Sequence, residues 1–313
     1  MLLPYTQQRQ GRRDDSLPSC SRKQKLLPSM QPKTTIAQYV LDQLDAHEGA
    51  APVAKLAEVL STATAADLVA VVEGIAQRPV DRAAVGPLVR MAQHVAARIR
   101  ALRGSGEDRN LAEDQRLSDA LVACYRATAQ PAPEAAGHFL QALVEQGTRE
   151  SIATVASLLL SLPPDDWKVV GIGLGPLWRA DATILQEVFT PLVGSPLQPS
   201  VLAVLLDLAN YCVRTQRLET HPWHQHAEAL ARMLSGLTAQ LERMQANPAQ
   251  FGESVEEVQQ QLADALALVV GLCDALGLIG DQRAVGALEG AMELAHRRIQ
   301  TEAAAALARM GVA

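Results

Sequence analysis

"ALGLIGDQRAVGALEGAME", residues 275–293, is the stretch whose reading decides the fold, because its first six residues return as "ALARMG" at 306–311. Gly280 fits the left-handed conformation that closes a helix, which only glycine adopts without steric cost. Asp281 fits the cap of the next helix, where a carboxylate accepts from exposed amides. Val285, Leu288 and Met292 then recur at i, i+3 and i+7, which predicts one buried stripe. Leu307 and Gly311 repeat the helix end, and alanines 303–306 predict close approach to a neighbouring helix. The echo reads as two successive hairpin ends.

The same rhythm extends backwards through the chain. Apolar periodicity predicts helices near 36–48, 52–61, 65–77, 81–103, 110–128, 133–146, 149–161, 164–178, 181–193 and 199–216. It continues near 221–246, 254–279, 282–296 and 298–310. Thr35 with Gln38, and Ser254 with Glu257, match the S/T-x-x-E/Q capping box. Fourteen helices over residues 34–313 give about 20 residues per helix, or about 40 per antiparallel pair. That spacing is near the HEAT and armadillo unit, whose pairs must stack to bury their apolar faces. The expected fold is all-α, an α-solenoid over 34–313 whose clearest unit is 254–313.

Composition agrees. Hydrophobic residues make up 48% but aromatics only 3%, so the core must be built from Ala, Leu and Val, which suits helices more than sheets. Residues 1–33 carry a net charge of +5 without periodicity and are expected to form a disordered basic tail. The remaining body is net −11, which disfavours a nucleic-acid partner. Cys20, Cys124, Cys212 and Cys273 form no C-x-x-C, which suits a reducing cytoplasm. Apolar runs such as "VLAVLL" at 201–206 are too short to span a bilayer, so no membrane span is expected. With a repeat helix running almost to Ala313, the array is expected to continue in a partner or a longer chain.

The last two helices resemble the HEAT-like repeat of phycobilin lyases, which reads roughly G-D-x-R-A-V-x-x-L and then a helix ending A-L-x-x-I/M-G. Gly280, Asp281, Arg283, Ala284, Val285 and Leu288 match the first half; Ala306, Leu307, Met310 and Gly311 match the second. The resemblance implies stacked helix pairs. It does not choose among lyases, hydroxylases, glycosylases and adaptors, since fold alone does not assign function.

Four stretches invite chemistry. His221, His224 and His226 in "HPWHQH" are the densest set of metal-type ligands. Thr220 as cap, Pro222 in the first turn and Trp223 packed beneath make a helix start the better reading. His47-Glu48 is a single pair, too few for a di-iron centre, and reads as a solvated helix end. "GIGLG" at 171–175 has Pro176 where a dinucleotide loop needs glycine, so it reads as close helix packing. Arg90, His94 and Arg98, with Arg100 and Arg103 beyond, form a stripe able to track phosphates. A lesion-reading enzyme would add Trp167 with Asp165 or Asp166, or Trp178 with Asp181. No catalytic residue, metal or cofactor is expected. The expectation is a non-enzymatic scaffold that binds a protein partner. The alternative is a HEAT-like enzyme or nucleic-acid-binding module, glycosylase-like or lyase-like, using Arg90–Arg103.

Overall fold

Capping chemistry sets where the helices start. Thr64 accepts from the Asp67 amide at 3.2 Å while the Asp67 carboxylate accepts from the Thr64 amide at 3.0 Å, closing a reciprocal box. Thr148 and Ser151 do the same for a later helix. Asp166, Asp181 and Ser254 each accept a bond from an amide in the following turn. Thr35 caps through the Gln38 amide at 3.2 Å, but the Gln38 side chain turns forward to Asp42 instead of back, so only half of the expected box forms.

A computed structural model describes residues 35–45, 53–81, 84–105, 111–252 and 254–312. The basic tail, 1–33, and the His47-Glu48 pair lie outside the described residues. The chain begins with α1 (Ile36–Asp45), α2 (Val53–Ser61), α3 (Ala65–Ala76), α4 (Val85–Ser105) and α5 (Leu111–Thr128). Next come α6 (Pro133–Gln146), α7 (Arg149–Ser161), α8 (Trp167–Leu174), α9 (Ala182–Leu192) and α10 (Pro199–Arg214). The last are α11 (Ala227–Ala246), α12 (Val255–Ile279), α13 (Val285–Met292) and α14 (Arg297–Arg309). No strand occurs among the described residues.

Packing joins many helices to the next but one, and also joins consecutive helices such as α5 and α6, α11 and α12, and α13 and α14. In the even row α2 lies on α4, α4 on α6, α6 on α8, α8 on α10, α10 on α12 and α12 on α14. In the other row α1 lies on α3, α3 on α5, α7 on α9 and α11 on α13. Contacts in the even row climb together along both helices. Arg100 meets Glu145 after Gln93 meets His138, and Arg214 meets Asp274 after Asn210 meets Gly271. Neighbouring even helices therefore run parallel at these seams. One continuous core of buried Leu, Val, Ile and Ala side chains lies within Thr35–Ala313.

The C-terminal pair forms much as its sequence suggests. Gly280 and Gly311 both adopt φ +74°, and Asp281 accepts from the Arg283 amide at 2.9 Å. Leu288 is fully buried, but Met292 is 38% exposed and is not part of the stripe, because α13 ends there and the chain turns through 293–296. Ala284 and Ala291 take the buried places beside Leu288 instead. Gly277 faces Ala306 so closely that a Cβ on it would lie 2.7 Å from the Ala306 Cα. The 25-residue α12 is apolar and long enough, by length and composition, to cross a membrane; here it lies along α10, α11 and α14.

Candidate functional site

The seam joining α10, α12 and α14 gathers several ionic groups within the even row. On α10, Asp207, Asn210 and Arg214 fall at i, i+3 and i+7, on one face of the helix. The Asn210 amide donates to the Gly271 carbonyl on α12 at 3.1 Å, and its Oδ1 lies 3.1 Å from His221 Nε2. The Trp223 amide donates to His221 Nδ1 at 3.3 Å, which assigns the ring proton to Nε2 and its bond to Asn210. His221 is only 3% exposed, and burial pulls its pKa down to about 4, against a smaller opposing pull from Asp274.

Asp274 is the charged centre of this seam. Its side chain is 7% exposed, and it accepts from Arg214 Nη2 on α10 and from Arg309 Nη1 on α14, the latter at 2.8 Å. One carboxylate of α12 thus takes a guanidinium from each neighbour. Buried charge is tolerated only when paired in this way, and pairing restricts which residues can face each other.

Above Asp274 a cleft of about 630 Å³ opens across α10, α12 and α14. Ala203, Ala263, Leu266, Ala267 and Val270 form its apolar wall, and Trp167 stands at the rim. Asp207, His296, Arg298 and Glu302 bring polar atoms into it. The Asp207 carboxyl is raised from its ordinary range by desolvation first and Asp274 second, with Arg214 and Arg298 pulling the other way. His296 Nδ1 is shut off from solvent and has no hydrogen-bond partner. The size and the mix of apolar wall with few converging polar groups are those of a binding site.

Two other cavities lie away from this seam, the first lined by Gln186, Thr190, Arg217, Glu219 and His226 and the second mostly apolar. One, about 800 Å³, lies between α9 and residues 216–226, where Gln216 adopts φ +57°. The other, about 210 Å³, is a mostly apolar hollow against Ile75, Leu88 and Cys124, whose thiol burial pushes up to about 12.

The residues singled out in the sequence fall elsewhere. His221 is engaged in the seam; His224 Nδ1 donates to the His221 carbonyl at 3.1 Å; His226 packs over Gly194. Among the described residues no group of three or more His, Cys, Asp or Glu side chains is placed to hold a metal ion. Thr220 is not a cap. α11 starts only at Ala227, because residues 221–226 turn tightly to bury Trp223 against Phe189. The Arg90–Arg103 stripe is divided: Arg98 donates to the Ala63 carbonyl at 2.7 Å, Arg100 pairs with Glu145, and Arg103 lies over Gly147. In "GIGLG" only Gly173 is a packing glycine, set against Leu140, while Gly171 and Gly175 face open space. Asp166 and Asp181 are helix caps, and Trp178 packs tilted against Tyr211 with ring centroids 5.0 Å apart.

Sequence reasoning did not pick out Asp207, Asn210, Arg214, Asp274, Arg298 or Glu302. A usable signal was present: Asp207 and Asp274 each interrupt a long aliphatic run on a helix. Neither a family model nor a curated protein matches the chain.

Proposed function

We propose that the chain is an α-solenoid of HEAT-like helix pairs that acts as a non-enzymatic scaffold and binds a protein partner. The observation that carries this reading is the cleft laid across three successive helices of one row, since stacked rows generate extended recognition surfaces without requiring reactive groups. The buried free thiols Cys124, Cys212 and Cys273 suit a reducing, cytoplasmic setting. A phosphate-tracking role draws less support, because Arg98 and Arg100 spend their donors inside the fold. Affinity capture with the full chain, followed by mass spectrometry, tests the proposal. A specific protein recovered reproducibly, with no salt-sensitive binding to a labelled DNA duplex, is expected. Salt-sensitive duplex binding without any specific protein would overturn it.

A further inference from the structure

We propose that the cavity between α9 and residues 216–226 is a binding site for an uncharged polyhydroxylated molecule, a mono- or disaccharide. The site lies apart from the cleft of the scaffold reading and goes beyond it. In the odd-numbered row α7 lies on α9 and α11 on α13, whereas the space beyond α9 is taken by the connection from α10 to α11, with Trp223 packed edge-on against Phe189. The gap left there is about 800 Å³, within the range of small-molecule sites. Both of its walls are held in place. Gln186, Phe189 and Thr190 share one face of α9. Opposite them the Arg217 and Leu218 amides donate to the Cys212 carbonyl at 2.8 and 3.2 Å, and Arg217 Nη1 donates to the Trp178 carbonyl at 2.6 Å.

Gln216 carries the inference. At φ +57° it is the one non-glycine residue with positive φ among the described residues, and it closes α10 in the left-handed conformation. At three other helix ends the chain uses Gly147, Gly280 and Gly311, which reach that conformation without the clash a Cβ brings. Glutamine is the less stable choice for the fold, and its side chain lines the cavity; a strained residue at such a wall marks a functional position. No described residue hydrogen-bonds to the side chains of Gln186, Gln216, Glu219, Thr220 or His226. The Arg217 guanidinium keeps Nε and Nη2 for a ligand. Arg217 and Glu219 bring one charge of each sign, so the described lining selects neither a cation nor an anion. What it offers is donors and acceptors side by side. Hydroxyl groups both donate and accept, and two on adjacent carbons can span the paired atoms of a carboxamide, carboxylate or guanidinium. Val193 and Pro222 add an apolar patch for ring C–H groups. A peptide fits less well: Phe189 and Leu218, the large apolar residues of the lining, are only 3% and 8% exposed and make a floor without pockets for side chains.

Saturation-transfer NMR on the full chain tests this with glucose, galactose, mannose, N-acetylglucosamine, maltose, sucrose and trehalose, and with glucuronate and glucosamine as charged counterparts. At least one neutral sugar should bind, and more tightly than either charged one. Titration of that sugar into Gln216→Gly should show affinity lower by about tenfold or more, while the same variant melts about 2 °C higher than the parent because the strain is gone. That pairing separates a ligand-holding residue from one that serves the fold. Gln186→Ala, on the exposed face of α9, should weaken binding to a similar degree with little change in melting. Four outcomes overturn the proposal: no neutral sugar bound, a charged counterpart bound as tightly, unchanged affinity in both variants, or a Gln216→Gly protein that melts below the parent. Capped tetraglycine bound more tightly than every sugar would also overturn it, giving the cavity to a peptide backbone.

Discussion

Between α4 and α6, Arg100 alone neutralises Glu145, and Gln93 lies 3.0 Å from His138 Nε2 beside it. Between α10, α12 and α14, Asp274 takes two guanidinium groups, and the space above it keeps Asp207, Arg298 and Glu302. Both seams belong to the even row, and both place a nearly buried carboxylate where parallel helices meet. At the first, charge cancels one for one and the polar groups fix which turns face each other. At the second, pairing serves the same end but leaves groups over in a cleft. The difference teaches that the same residue types can close a seam pair by pair or spread their charges over three helices around an open cleft.

The largest effect that could break this comparison comes from stranding the carboxylates. Arg100→Met leaves Glu145 without its counter-ion and should lower unfolding free energy in urea by about 3–5 kcal/mol. Arg214→Met alone should cost about 1 kcal/mol, because Arg309 still pairs with Asp274, and the Arg214→Met/Arg309→Met double should reach about 3–5 kcal/mol. If Arg214→Met alone matches Arg100→Met, the two seams are not different in kind.

Acid titration gives the next effect. His221 is neutral in the fold, whereas its unfolded counterpart takes up a proton below about pH 6.5. Stability from this group is complete above about pH 7, is lost as pH falls from about 6.5 towards 4, and changes no further below that. The loss should be about 3 kcal/mol, and His221→Gln should flatten that part of the curve. A wild-type curve without slope there would show that Asn210 and His221 contribute no pH-sensitive tie.

Two glycines on α12 sharpen the contrast between closed and open parts of one helix. Gly277→Ala should cost about 1–3 kcal/mol, since its Cβ collides with the Ala306 backbone. Gly271→Ala has 3.6 Å to Leu206 Cβ and should be neutral or stabilising by up to about 1 kcal/mol. Thermal melts of the pair give the signs directly. Met292→Gln, at an exposed helix end, should change stability by less than about 0.5 kcal/mol.

The helices were legible because the apolar period is local, and at many of them a capping Thr, Ser or Asp (α3, α7, α8, α9, α12) or a closing glycine (α6, α12) marks an end. Periodicity carried to the last residue of α13 put Met292 in the core, since a pattern does not show where the chain leaves the helix. Pro222 suggested the first turn of α11, but burying Trp223 against Phe189 requires a tight turn that delays the helix to Ala227. The cleft was hidden for a different reason. Arg214 and Asp274 are 60 residues apart, and Asp274 and Arg309 are 35 apart, so their meeting depends on packing register between helices. What the sequence did display was a carboxylate within an aliphatic run, a sign that some other segment must supply its partner.

The three buried thiols have a practical consequence. Cys124 donates to the Val72 carbonyl at 3.3 Å, tying α5 to α3, while Cys212 and Cys273 sit within α10 and α12. Burial raises all three thiols, so a water-borne thiol reagent modifies each only when its own surroundings come apart. Pulsed alkylation read by peptide mass would then time the loosening of the N-terminal and C-terminal helices separately. The native chain carries its own clocks for that measurement, with no label added.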